Sequence, residues 1–180
     1  MLSESEKKNI LGRVVKKAGD YEEISISCCQ GTLAALQEEF KLGGGEEVIK
    51  AAIFMPGIAS RKETCGAVTG GLMALGLKFG RNKIKDPEPN TPEGKAALLK
   101  LREKAWRFCE EFKKEMGSTM CGDIRPQIMG RDYNSMDPLD RQQFLNDDGP
   151  KKCRVPPEKA ARIAALIILE EWSAVHPVGL

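Results

Sequence analysis

The stretch Thr64–Gly80, TCGAVTGGLMALGLKFG, decides how the chain is read. As a helix from about Thr64 to Phe79, stopped by Gly80, it holds Gly66, Gly70, Gly71 and Gly76, although each glycine costs about 1 kcal/mol relative to alanine inside a helix. Gly66, Gly70 and Ala74 recur at i, i+4 and i+8, and Ala67 with Gly71 makes a second small pair. A stripe of this kind lets another helix, or a bound group, approach the backbone closely. Two readings stay open: tight helix–helix packing, or room for a cluster or substrate beside the sulfur of Cys65.

Helical patterns recur on both sides of this stretch. Glu6 to Ala18 places Ile10, Leu11, Val14 and Val15 on one stripe, with Gly19-Asp20 as its expected end. A second helix is expected from Ser25 or Ser27 to Phe40, closed by Gly43-Gly44-Gly45, and a short one from Glu46 to Phe54. Beyond Gly80 the segment 81–94, RNKIKDPEPNTPEG, reads as a surface connection. The longest helix, about Pro92 to Met116, carries Leu98, Leu101, Ala105, Phe108 and Phe112 on one face. The polar segment 122–152 is expected as a surface loop with one short helix at Pro138–Phe144. A last helix opens at Pro157 and runs to about Trp172. With aromatics at 6% and no alternation of β-branched residues, strand signals are nearly absent. The expectation is one all-α domain, residues 1–180, of six or seven helices.

Composition narrows the partners. The 28 Lys+Arg against 26 Asp+Glu leave a formal net charge of +2, too little to argue for nucleic acid. No secretory signal pattern opens the chain, and the longest apolar run, Ile163 to Leu169, is too short to insert in a membrane. A cytoplasmic protein is expected, where cysteines serve as packed groups, metal ligands or redox-active thiols.

The chain has six cysteines and a single histidine, His176, which excludes a multi-histidine metal centre. Cys28 and Cys65 open the second and fourth expected helices, Cys121 follows the long helix, and Cys153 precedes the last one. Free N–H groups at a helix N-terminus favour thiolate over thiol, so Cys28 and Cys65 are the candidates for lowered pKa values. The four are separated by 37, 56 and 32 residues, so no local Cys-x-x-Cys chelate exists and any joint site must come from tertiary packing. Cys109 reads as core beside Phe108 and Phe112; Cys29 points about 100° away from Cys28 on the same helix and has no evident use.

These residues resemble a known family. Cys28 followed by Gln30, then TCGAVTGGLMALGLKFG, GSTMCGDI and KCRVPPEKAARIA, are similar to the four-cysteine family of redox-active proteins with a C…CGAxxG…C…C pattern. The match extends from about Asp20 to the last helix. Its motif is complete as Cys65, Gly66, Ala67 and Gly70, of which Gly66, Ala67 and Gly70 are implied by the resemblance as cofactor-binding positions. Its four cysteines correspond to Cys28, Cys65, Cys121 and Cys153. Two departures stand out: FMPGIASRKET precedes the motif, with Met55, Pro56 and Lys62 where relatives carry glycines, and Cys29 replaces a small residue.

The resemblance implies redox activity and a likeness to the part of split-Soret cytochromes associated with an iron–sulfur centre; the haem part has no counterpart, so no haem is expected. Three chemistries follow. Cys28, Cys65, Cys121 and Cys153 could ligate an iron–sulfur cluster, most simply 2Fe–2S, for electron transfer. Without metal, Cys65 could act as a nucleophilic thiolate, with Cys28 or Cys121 resolving the disulfide. The four could instead hold a structural zinc. A redox partner of unknown identity is implied, and the glycine-lined helix could serve a homodimer as readily as an internal contact.

Overall fold

In the computed structural model, which describes residues 2–175, the chain is all-α. There are eight helices of more than one turn among the described residues: α1 (Glu4–Ser25), α2 (Cys28–Phe40), α3 (Gly45–Ala51), α4 (Gly66–Phe79), α5 (Pro92–Met116), α6 (Cys121–Met129), α7 (Pro138–Asn146) and α8 (Val155–Val175). His176 lies outside the described residues. No described helix is long and apolar enough to cross a membrane.

Helix α1 starts on a capping box, in which Glu6 N–H donates to Ser3 Oγ at 3.2 Å and Ser3 N–H donates to Glu6 Oε2 at 2.7 Å. It does not stop at Gly19-Asp20. A Cβ on Gly19 would stand 2.8 Å from Arg154 Nη2, so this glycine gives room to the start of α8 and is no terminator. The helix runs on to Ser25, where Ile26 turns left-handed (φ 53°) and returns its N–H to Glu22. Those extra turns place Glu22 on the helix.

One cluster of buried side chains joins α1, α2, α4, α5 and α8. Helix α8 supplies Ala160, Ala161, Ile163, Ala164, Ala165, Ile167, Ile168 and Leu169, buried around most of its circumference. Among the large apolar side chains of α5, Phe108 and Phe112 are fully buried, while Leu99 and Trp106 face outward. The glycines of α4 resolve into two contacts. A Cβ on Gly70 would lie 2.5 Å from the Cys29 carbonyl of α2, and one on Gly71 would overlap the Phe108 ring of α5. Tight packing therefore accounts for the stripe.

The segment 122–152 departs from the surface loop expected of it. It contains most of α6, all of α7 and a single helical turn at Gly149–Lys152, and it buries Ile124, Met129 and Tyr133. Pro126 disguises α6 in the sequence, but within a helix of nine residues it removes one bond and does not break the element. The segment 81–91 remains a connection, and α5 opens as expected at Pro92 with Thr91 Oγ1 accepting from Gly94 N–H at 3.0 Å.

Between α3 and α4 the backbone takes a run of positive φ values at Gly57, Ile58, Ala59, Ser60 and Lys62. This conformation favours glycine, which explains why a glycine-rich stretch suits this position. The chain adopts it with one glycine.

Candidate functional site

Three local structures bring the expected sulfurs together. Cys65 is the residue before α4; the Val68 N–H donates to its carbonyl oxygen at 3.0 Å, and the N–H groups of the helix end beside its Sγ favour the thiolate form. Cys28 is the first residue of α2, and its Sγ lies where a Cβ on Gly66 would overlap it. That same Cβ would stand 2.9 Å from Pro56 Cα and 3.0 Å from Cys29 N, so only glycine lets α4 meet α2 this closely. The third structure is a two-strand ribbon. Cys65 N–H donates to Thr119 O at 2.8 Å, Cys121 N–H to Glu63 O at 2.7 Å and Gly122 N–H to Lys62 O at 2.9 Å. Thr64 and Met120 are paired antiparallel in it. Cys65 and Cys121 each follow a paired residue, so both side chains leave the ribbon on the face opposite Thr64 and Met120.

Cys28, Cys121 and Cys153 border one cavity of about 500 Å³, together with Glu22, Arg125 and Tyr133. Cys65 is only 3% exposed and does not border it; Cys28 is half-buried at its edge. Gly66 and Ala67 are buried and Gly70 is packed on α2, so the three motif positions expected to touch a cofactor face neighbouring helices and not the cavity.

The thiols differ in electrostatic environment. A hydrogen bond from Cys28, aided by the N–H groups of Ala67 and Val68, holds Cys65 below the usual thiol range. Cys28 is pushed well up by that same bond, then by burial. The two thiols are thus driven in opposite directions, Cys65 down and Cys28 up, as for an interacting pair in which the first ionisation opposes the second. The expectation of a lowered value holds for Cys65 and fails for Cys28, because two adjacent thiolates repel each other. Burial raises Cys121 to about 11 and Cys153 to about 12, although Arg125 opposes the shift in both. Cys29 is fully buried with Sγ 3.8 Å from Met73 Sδ, while Cys109, expected in the core, is half-buried at its edge.

Glu22 escaped the sequence reading because its helix was expected to end at Ala18. It is 4% exposed, and its Oε2 is buried without a hydrogen-bond partner. Burial, then the negative charge on Cys65, push its carboxyl well above the usual carboxylate range. Both influences favour its neutral form. Arg125, one turn after Cys121, was also missed with the helix that carries it. Its guanidinium donates to Asp132 at 2.8 Å, to Ser135 and to the Tyr133 carbonyl.

Thiolates suit iron–sulfur clusters and zinc. As the side chains stand, however, no three Cys, His, Asp or Glu among the described residues are grouped so as to hold a metal ion. The donor types fit such a group and their present placement does not.

Neither curated proteins nor solved structures give a match to the chain. A family model does, over residues 26–167, under the description "Putative redox-active protein (C_GCAxxG_C_C)". The matched span includes all four of Cys28, Cys65, Cys121 and Cys153, and the chain belongs to the C_GCAxxG_C_C family.

Proposed function

We propose that the chain carries out thiol–disulfide exchange through Cys28 and Cys65. The carrying observation is their closeness: Cys28 Sγ lies where a Cβ on Gly66, the neighbour of Cys65, would overlap it, at the edge of a cavity that Glu22 also borders. The interaction with Cys28 lowers the pKa of the Cys65 thiol. Exposure assigns the roles. Cys28 reaches the cavity and is the attacking sulfur, while Cys65, behind it, serves first as base and then as resolving thiol.

Cys28 passes its proton to Cys65 as its sulfur attacks an incoming disulfide RSSR. The substrate S–S bond breaks, and the first RS⁻ takes a proton from the Glu22 carboxyl. Cys65 then attacks the Cys28 sulfur of the mixed disulfide, and its proton goes to the second RS⁻. RSSR is reduced to two RSH, the protein is oxidised to a Cys28–Cys65 disulfide, and Glu22 regains its proton from water.

Diamide oxidation of the reduced chain, followed by peptide mass mapping, tests this. A Cys28–Cys65 linkage lighter by two hydrogens is expected. Its absence, or earlier linkage of Cys121 to Cys153, overturns the reading. One observation favours a second reading, a 2Fe–2S cluster: Cys121 and Cys153 border the same cavity as Cys28 and feel the charge on Cys65. Stoichiometric iron and sulfide, with absorption beyond 400 nm after anaerobic purification, distinguish it.

A further inference from the structure

The cavity's walls describe what enters it. Its volume of about 500 Å³ lies in the range that holds a small ligand. Helix α7 and the turn before it form one side, facing the α1–α2 junction and the Pro56–Lys62 segment. Cys28 is half-buried at the edge of these walls, and Cys65, which does not border the cavity, is nearly inaccessible. A disulfide on the surface of a folded protein does not fit such a recess.

Charge narrows the class further. Three cations border the cavity: Lys62, Arg125 and Arg141. Lys62 and Arg125 share a single carboxylate, Asp132, which stands behind the wall. The bordering Asp140 is engaged elsewhere, by Arg131 at 2.7 Å and by the Asn134 N–H at 2.8 Å. The Arg141 side chain has no partner among the described residues. Glu22, the remaining bordering acid, is buried, and its surroundings favour the uncharged carboxyl. Lys62 and Arg125 thus have one carboxylate between them and Arg141 has none, beside exposed Ile26, Met136 and Leu145 that can cover an aliphatic stem.

We propose that the cavity takes a low-molecular-weight disulfide bearing a carboxylate, its anionic end at Arg141 and Arg125 and its S–S bond at Cys28. This rests on the thiol–disulfide reading for the chemistry and on the wall charges for the class. Reduction of RSSR to two RSH, with formation of the Cys28–Cys65 disulfide, is the balanced step already given.

The test uses the reduced full chain and four oxidants: 3,3′-dithiodipropionate, neutral 2-hydroxyethyl disulfide, cationic cystamine and insulin. Each rate of thiol loss is divided by that oxidant's rate with dithiothreitol, which removes intrinsic reactivity. The dicarboxylate is expected to be about fivefold to tenfold faster than the neutral disulfide, as one or two partly screened charge pairs allow. Cystamine should be slower than both, and insulin slowest. Arg141→Ala should bring the dicarboxylate and neutral rates together, and Arg141→Lys should keep most of the preference. Equal normalised rates, a preference for cystamine, or fastest reaction with insulin overturns the proposal. Calorimetry with 3,3′-thiodipropionate, a thioether that cannot exchange, separates recognition from redox chemistry. Binding that Arg141→Ala weakens supports the assigned class even if the Cys28–Cys65 disulfide never forms. No binding, or equal binding to both proteins, overturns the class whatever the redox result.

Discussion

Cys65 and Cys121 stand on adjacent strands of one ribbon, each at the start of a helix, yet their thiols are driven in opposite directions. For Cys65 the interaction with Cys28 and the N–H groups of Ala67 and Val68 outweigh burial, and its thiol is lowered below the usual range. Cys121 opens α6 without such donors, and burial with the charge on Cys65 pushes it to about 11. Position at a helix N-terminus is therefore not sufficient. The sulfur must receive hydrogen bonds that outweigh its desolvation.

The largest expected effect comes from removing one side of this contrast. Cys28→Ser or Cys65→Ser should abolish formation of the intramolecular disulfide, with reduction of 2-hydroxyethyl disulfide falling roughly a hundredfold or more, a loss of the scale seen when a unit of covalent machinery is dismantled. Cys121→Ser and Cys153→Ser should change that rate far less; comparable losses in all four variants would erase the distinction.

Next comes the contact that creates the pair. Gly66→Ala should destabilise the fold by about 2–3 kcal/mol, the upper part of the usual overpacking range, since its Cβ meets the Cys28 sulfur and two backbones. Gly76→Ala, in the same helix with nothing within 4 Å, should instead stabilise by about 0.5–1 kcal/mol. Denaturant titration of both variants reads the difference directly.

The pH dependence sharpens the same comparison. A thiol is alkylated as its thiolate, so iodoacetamide should label Cys121 and Cys153 appreciably only as pH approaches about 11 and 12. Cys28, raised well above its ordinary value, should likewise be labelled only at high pH, and Cys65, whose thiol lies below the usual range, should be slowed by its burial. For Glu22 the folded pKa lies above its ordinary value of 4.5. The native state then binds more protons than the unfolded chain, so this contribution to stability is full below 4.5 and is lost as pH rises through the folded value. Glu22→Gln should remove that decline, visible as a flatter melting temperature against pH.

The smallest effect concerns the segment beneath the cavity. Ala59 sits at φ 54°, and Ala59→Gly should raise stability by about 1 kcal/mol through relief of left-handed strain. A loss of stability there would mean that the reduced freedom of alanine in the unfolded chain matters more.

The helical class and four of the cysteines were legible because α5 and α8 repeat apolar residues at helical spacing and because the CGAxxG motif is specific. Glu22 was hidden by Gly19, whose use in helix contact cannot be told from a stop signal without Arg154 beside it. Helix α6 was hidden by Pro126 and by having few apolar positions. Arg125 and Arg141 look like ordinary surface charges until the chain folds them onto one cavity. The sharing of Asp132 by Lys62 and Arg125 is a tertiary fact with no local signature.

The ribbon between 62–65 and 119–122 joins parts of the chain that are 56 residues apart at the Thr64–Met120 pair. Closing a loop of that length carries an entropy cost that shorter helix–helix contacts avoid. Local elements therefore have a head start, and the sulfur site is assembled after the helices it rests on. Until the ribbon closes, nothing in it holds Cys121 beside Cys65. The order of assembly thus governs which sulfurs first meet an oxidant, giving the young chain a different pattern of vulnerability from the finished protein.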